Sequence, residues 1–513
     1  MRAVVLLSLF IHARSEWQSV IGLEIHAQIQ SRSKLFSRAG TSYGASTNSQ
    51  VSHFDAALPG TLPVLNRRCV EAGVLTALAL GCDINMVSKF DRKHYFYADL
   101  PAGYQITQQR QPLAVNGQVT YVYQCSRTSR VERRSARLIQ LQLEQDSGKS
   151  LHDSEQRLSL IDLNRAGVGL MEIVTAPDFC GGDDAASFVR DLRDVLVSIG
   201  TCDGKMAEGS LRVDANISVN RPGEEFGVRT EVKNLNSVKS MRAAINYEIE
   251  RQIQILDTGG TVVNETRSFD LDTGETVAMR DKEKVLDYRF MPEPNLPPLV
   301  LYSQRESVPL SLPSSQRPNV VVLEEVQGQM KELPEDRRKR LETRYGVSLI
   351  NSVILVRAEL DELFETLVTS HGCDPGSASH VVRNNYNAFL DERKLTWRDS
   401  PIETSVLAEI VRLYHEGKVS GSAVSVLLSE KTLDGQLSVS EVIERHNLWM
   451  LRDTSVIEAA VTDVFSRNPK MIKAYKKGKV NQLDVLAAKV MKKLEGKADS
   501  RLVLTMVSER LKD

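Results

Sequence analysis

The sequence predicts an α+β protein: a mixed, mainly antiparallel sheet domain, then an all-α domain, then a small α-helical tail. Three observations predict it. Residues 22–30 and 211–219 alternate strictly between apolar and polar side chains, the two-residue period of a half-buried strand. Residues 184–199 and 236–256 carry apolar residues at helical spacing, so helices are interspersed among the strands. After a stretch punctuated by Pro309, Pro313, Pro318 and Pro334, the strand signals give way to helical patterns. These shifts divide the chain into a leader at 1–16, a sheet domain at 17–301, a linker and helical domain at 302–438, and a basic tail at 439–513.

Within 22–30, Leu23, Ile25, Ala27 and Ile29 share one face, and Glu24, His26, Gln28 and Gln30 share the other. Glu24 and His26 lie two positions apart, about 7 Å along a strand. That spacing suits two ligands of one metal or an acid/base pair, and it equally suits a solvent-facing edge strand. Further segments repeat the theme. In 138–144, Ile139, Leu141 and Leu143 oppose Gln140, Gln142 and Glu144; in 170–174, Glu172 interrupts an apolar strand. A carboxylate there is costly to bury without a cation, a donor or a shifted pKa, and an ion pair would serve as well as a functional partner. In 211–219, Arg212, Asp214, Asn216 and Ser218 form the polar face.

The helix at 184–199 buries Phe188, Leu192, Val195 and Ile199, with Asp183 or Asp184 as its cap. The helix at 236–256 buries Val238, Met241, Ile245, Ile249 and Ile253, and stops before Gly259-Gly260.

Other features exclude classes. The formal net charge is −1, so no global basic field announces a nucleic-acid partner, and any such contact needs a local patch. Such a patch lies at 470–497, where nine lysines (470, 473, 476, 477, 479, 489, 492, 493 and 497) face only Asp484 and Glu495. The six cysteines are scattered, and none forms a C-x-x-C pair, which excludes a zinc ribbon and fits a reducing compartment. Gly148-Lys149-Ser150 is not a P-loop, because Leu143 stands where that motif's first glycine belongs. No apolar run reaches membrane-span length. The 4–11 stretch fits a secretory signal, a short organellar presequence or a disordered tail.

Glu24, His26, Glu144 and Glu172 all interrupt apolar strands, and a curved sheet would converge them. Carboxylates with one imidazole suit Mg²⁺ or Mn²⁺ near a phosphate. Residues 89–97 add basic and aromatic side chains, including Lys89, Arg92, Lys93 and Tyr95.

Several motifs carry a resemblance: Ile21-Gly22-Leu23-Glu24-Ile25-His26, Leu58-Pro59-Gly60-Thr61-Leu62-Pro63, Lys89-Phe90-Asp91-Arg92-Lys93, Asp162-Leu163-Asn164-Arg165 and Leu170-Met171-Glu172-Ile173-Val174. Further matches are Gly209-Ser210-Leu211-Arg212-Val213-Asp214-Ala215-Asn216, Glu231-Val232-Lys233-Asn234-Leu235-Asn236-Ser237, Glu265-Thr266-Arg267 and the run from Asp287 to Pro294. The chain resembles the B-subunit family of the glutamyl-tRNA(Gln) amidotransferases, over nearly all of 17–300 and more loosely beyond.

The resemblance implies a catalytic cradle domain followed by helical and tRNA-binding tail domains. The implied enzyme is an ATP-dependent carbon–nitrogen ligase with glutamine as amido donor. ATP phosphorylates the side-chain carboxylate of tRNA-bound Glu, and ammonia displaces the phosphate to give Gln-tRNA(Gln). The implied cofactors are ATP and Mg²⁺. His26, Glu144 and Glu172 would hold the metal, with Glu24 beside them as a fourth catalytic residue. Lys89, Arg92, Lys93, Arg212 and Lys233 would face phosphates, Tyr95 would join them at the cofactor, and Asp214, Asn216 and Asn234 would position substrate.

The implied partners are an amidase (glutaminase) of the A type, a small third subunit of the C type or the fungal F type, and Glu-tRNA(Gln). The implied location is the mitochondrial matrix, or else a bacterial cytoplasm. One departure stands out. The bacterial pattern Leu-His-x-Glu-Glu-Asp reads Leu141-Gln142-Leu143-Glu144-Gln145-Asp146 here, so Glu144 rather than Gln145 is expected to carry the ligand role. Two other readings stay open: a non-catalytic tRNA-binding scaffold and a free-standing carboxylate–amine ligase.

Overall fold

The computed structural model describes residues 16–126, 128, 130–153, 155–279, 289–433, 437–476 and 481–512. The leader expected before Trp17 lies outside them save for its last residue, as do Asp287, Tyr288, Lys477 and Lys479. The chain divides into two compact units, Met1–Glu335 and Asp336–Asp513.

The strands that matter in the first unit are β1 (Gln18–Gln28), β2 (Asp83–Ile84), β3 (Asp91–His94), β4 (Tyr104–Thr107), β5 (Ala114–Gln124), β6 (Val131–Gln145), β7 (Gly169–Thr175), β8 (Leu211–Asn220), β9 (Thr230–Lys233), β10 (Thr266–Phe269), β11 (Thr276–Ala278) and β12 (Arg289–Pro292). Nine of them form one sheet in the order β11-β10-β9-β8-β1-β7-β6-β5-β2, antiparallel except for β9 with β10. The predicted mixed, mainly antiparallel sheet is present, and β1 sits near its centre with a neighbour on each side.

Alternation decides which face is dry. Leu23, Ile25 and Ala27 of β1, Met171 and Ile173 of β7, Leu141 and Leu143 of β6, and Leu211, Val213, Ala215 and Ile217 of β8 are all buried. The helices α1 (Arg67–Ala79), α2 (Gly182–Ser198) and α3 (Val238–Asp257) pack into the same core, through Cys69, Val74 and Ala77, through Phe188, Leu192 and Leu196, and through Met241, Ala244 and Ile245. Tyr121, Phe179 and Phe188 form an aromatic cluster with ring centroids 4.9–6.2 Å apart, and the Tyr121 hydroxyl donates to Asp184 at 2.7 Å.

Three local expectations are corrected. Ile139 is 51% exposed rather than packed beside Leu141. Against β7 the register of β6 shifts by one residue between Leu138 and Gln140, so Leu138 takes the core place. The cap of α2 is Gly181, not an aspartate. Asp183 and Asp184 fall in its first turn, where carboxylates still favour the helix dipole. Finally, the unit does not close at 301. Leu299–Tyr302 pairs with Val321–Val322, and Leu301, Val321 and Val326 join the sheet domain's core, which carries this unit to Glu335.

The second unit is helical. Leu341 to Leu448 form one apolar cluster, and Ile457 to Leu511 form another. Helix Val439–Arg445 contributes Val439, Val442 and Ile443 to the first cluster, so the tail's own core begins after it rather than at 439. In the tail, helix Gln482–Lys493 buries Leu486 and Val490, with Leu483 and Leu494 packed alongside, and leaves Lys489, Lys492 and Lys493 exposed. Among the described residues no helix is long and apolar enough to cross a membrane.

Phe188→Ala is expected to destabilise the first unit by about 3–5 kcal/mol, because it empties a fully buried aromatic site. Denaturant unfolding of the wild type and variant checks this; a loss under about 1 kcal/mol would show that the cluster is loosely packed.

Candidate active site

The polar face of the sheet is built by register. His26 of β1 stands opposite Arg212 of β8 on one side and Glu172 of β7 on the other, and Glu172 stands opposite Gln142 of β6. Glu24 stands opposite Asp214 in the next row, and Glu144 stands opposite Leu170. Four strands thus deliver one polar patch, with no loop needed to place it.

At its centre, ligand atoms of His26, Glu144 and Glu172 all lie within 4.8 Å of one another. His26 Nε2 is 3.5 Å from Glu144 Oε1. Gln142 Nε2 donates to Glu172 Oε2 at 2.6 Å and to Thr107 Oγ1 at 3.0 Å, and Thr107 Oγ1 donates to Glu144 Oε2 at 3.3 Å. Gln140 in turn donates to Gln142 Oε1 at 2.6 Å. A chain of neutral donors therefore holds both carboxylates in place. Gln145 points elsewhere: its Oε1 accepts from the Ile106 N–H at 3.1 Å, so Glu144 is the carboxylate that faces His26.

Burial, and next the charge of Glu172, push the Glu144 carboxyl well above the usual range, with Lys93 pulling the other way. Burial followed by Glu172 and Glu231 raises Glu24, against the amide of Asn216, which donates to Glu24 Oε1 at 2.9 Å. Burial raises Asp214, opposed by Lys233 and His26. Crowded, half-dry carboxylates of this kind are best satisfied by a divalent cation, and an imidazole beside two carboxylates is a donor set that fits one.

The sheet face floors a cleft of about 560 Å³ lined by His26, Glu144, Asp146, Arg212, Asp214, Glu231, Lys233 and Asn234, with Lys93, Tyr95, Tyr97, Asp99 and Gln105 on the opposite wall. That wall comes from the second small sheet, β12-β3-β4, and the loop after β3. Asn234, at φ +63°, ends β9 with a left-handed turn into the cleft. Lys233 Nζ is 3.6 Å from Asp214 and 3.4 Å from Glu231. Glu24 and Asn216 line a neighbouring cavity on the same face.

Lys89 and Arg92 are not brought into the cleft. Arg92 Nε and Nη2 are bidentate on the buried Glu293 at 2.7 and 3.0 Å, and its guanidinium lies 4.2 Å from the Tyr104 ring centroid. Lys89 lines a separate cavity with Asp91 and Arg110. For Arg92 the reason is alternation within β3: Lys93 faces the cleft, so Arg92 faces away. Asp146, Thr107 and Glu231 join the site without having been singled out by sequence pattern. Thr107 carries no signal there, whereas Glu231 sits two residues before Lys233 on the polar face of its strand.

Residues 19–306 match the family model described as the GatB/GatE catalytic domain, a span that contains every strand of the cleft, and 362–511 match the one described as the GatB domain. The chain belongs to the GatB family of amidotransferase B subunits. Among its relatives, the mitochondrial glutamyl-tRNA(Gln) amidotransferase B subunit of Danio rerio is 47% identical over 494 residues, covering 96% of this chain and 89% of that protein. The Homo sapiens protein of the same name is 46% identical over 499 residues, covering 97% and 89%. The aspartyl/glutamyl-tRNA(Asn/Gln) amidotransferase B subunit of Rickettsia bellii is 39% identical over 497 residues, covering 97% and 98%. The resemblance carried by the sequence motifs therefore holds along nearly the whole chain.

Arg92→Leu should lower stability by about 3 kcal/mol, since it strands a buried carboxylate, while leaving the KM for ATP unchanged. Thermal unfolding together with steady-state kinetics of the assembled enzyme separates the two; a raised KM with normal stability would return Arg92 to the substrate site.

Proposed function

We propose that this chain is the subunit of a glutamyl-tRNA(Gln) amidotransferase that activates and amidates the glutamate of misacylated tRNA. The observation that supports it most is the His26, Glu144 and Glu172 cluster, of which His26 and Glu144 line a cleft that also carries Lys93, Arg212 and Lys233. The relatives' names supply the substrate class.

A carboxylate is a poor acyl donor. An oxygen of the glutamate side chain attacks the γ-phosphorus of ATP, and the bond to ADP breaks. Ammonia then attacks the acyl carbon, loses a proton, and inorganic phosphate leaves. Phosphoryl transfer depends mostly on alignment and on neutralising oxygen charge. His26, Glu144 and Glu172 are the residues that would hold Mg²⁺, which when bound supplies that neutralisation. Gln142 and Thr107 keep the two carboxylates aimed. Lys93, Arg212 and Lys233 draw the phosphate oxygens into the cleft. Tyr95, Asp214 and Asn234 orient the incoming aminoacyl end, with Glu24 and Asn216 beside them.

The ammonia comes from a partner glutaminase subunit, with a small third subunit completing the assembly. The exposed lysines of the tail bind the phosphate backbone of the tRNA. The mitochondrial names of the Danio rerio and Homo sapiens relatives favour the mitochondrial matrix as the location.

With ammonium chloride as nitrogen source, His26→Ala and Glu172→Ala in the assembled complex should lower Gln-tRNA(Gln) formation at least about 100-fold with tRNA binding intact. Near-normal product would leave a tRNA-delivering scaffold instead. The double variant Lys489→Ala, Lys492→Ala should weaken tRNA binding and reduce the slope of log K against log salt by about 2; an unchanged slope would remove these lysines from the RNA interface.

A further inference from the structure

Asp146 belongs to a turn between strands, not to the row of ligand candidates, yet it is 3% exposed and heavily anchored. Its Oδ2 accepts from Arg212 Nη2 at 2.7 Å and from Gln28 Nε2 at 3.3 Å, and its Oδ1 accepts from the Ser147 N–H at 2.9 Å. Arg165 Nε lies 3.6 Å away while bonding the Ser147 carbonyl at 2.9 Å, and Arg165 Nη2 bonds the Gly148 carbonyl at 2.5 Å. The Asp146 backbone is clamped too: its N–H donates to Val168 O at 2.8 Å, and its carbonyl accepts from Gly167 N at 2.9 Å. The carboxylate is therefore a fixed strut.

What it braces is Arg212. That residue stands directly across from His26, lines the cleft, and keeps about a third of its side chain (31%) exposed. Its Nε is buried with no hydrogen-bond partner among the described residues. A guanidinium has five N–H donors, and Asp146 takes the Nη2 end alone. The group is thus tied through Nη2 and under-satisfied at its remaining donors, beside the ligand candidates. Unmade donors of this kind are costly unless an acceptor arrives with a ligand.

Resting on the function proposed above, we propose that Asp146 is a positioning residue: it holds the Arg212 guanidinium so that its free donors meet the anionic oxygens of the γ-phosphoryl group in transit. Lys93 and Lys233 each carry a point charge without a planar fork of donors; a braced guanidinium offers fixed, directional donors. A donor aligned on charge that grows in the transition state acts on kcat more than on KM.

The test is a double-mutant cycle on the assembled complex with ATP, Glu-tRNA(Gln) and ammonium chloride. Asp146→Asn keeps the shape and removes the charge; Arg212→Met keeps the stem and removes the donors. Each single variant should lower kcat about 100-fold with the KM for ATP changing less than about threefold, and the double variant should be no slower than Arg212→Met alone. Multiplying losses would show that Asp146 acts through the fold rather than through Arg212, and would overturn the proposal. So would an unchanged kcat in Arg212→Met.

Unfolding midpoints of all four proteins guard against loss of structure. Should Asp146→Asn unfold, Asp146→Glu takes its place in the cycle under the same criteria. Failure of the underlying reading looks different: His26→Ala and Glu172→Ala would then retain activity, whatever the cycle gives.

Discussion

The site depends on one constraint: over Glu24–Ala27, the stretch that carries Glu24 and His26, β1 is paired on both sides, with β7 and with β8. A strand has a two-residue period, so a one-residue slip against either neighbour would turn His26 or its partners into the apolar core. The buried set of Leu23, Ile25 and Ala27 under α1, α2 and α3 forbids that slip. Hydrophobic burial on one face is thus what fixes the spacing of charged groups on the other. The carboxylates Glu144 and Glu172 can be held near each other, at an electrostatic cost, because the sheet beneath them cannot rearrange.

That cost is managed by neutral groups and by cations at the rim. Gln142 and Thr107 satisfy carboxylate oxygens without adding charge, and Lys93 and Arg212 supply positive potential from the wall and the floor of the cleft. Burial works against the charge of Arg212, yet its bond to Asp146 keeps its pKa above the ordinary value. The result is a patch of alternating sign, which suits a reaction in which phosphate charge moves between atoms.

Much of this is legible in the amino-acid sequence, for a physical reason. Glu24, His26, Glu144, Glu172, Arg212 and Asp214 each break an apolar alternation, and period two says directly which side chains share a face. The choice of Glu144 over Gln145 follows from the same rule. Lys89 to Lys93 look like one basic block in sequence, but β3 alternates as well, sending Lys93 into the cleft and Arg92 to Glu293. The place of Ile139 is illegible, because the skipped residue between Leu138 and Gln140 leaves no mark in composition. Asp146 reads only as a turn residue, since its partners Gln28, Arg165 and Arg212 are distant in sequence and meet only in the folded sheet.

Whether carboxylate activation takes place on this face is tested most directly by trapping the activated acyl group. The assembled complex is given Glu-tRNA(Gln), ATP and hydroxylamine, with glutamine and ammonium withheld, and glutamyl hydroxamate on the tRNA is quantified. ATP-dependent hydroxamate is expected from the wild type, with loss of it in Glu172→Ala. Equal hydroxamate from the two proteins would place the activation elsewhere and contradict the role assigned to this sheet face.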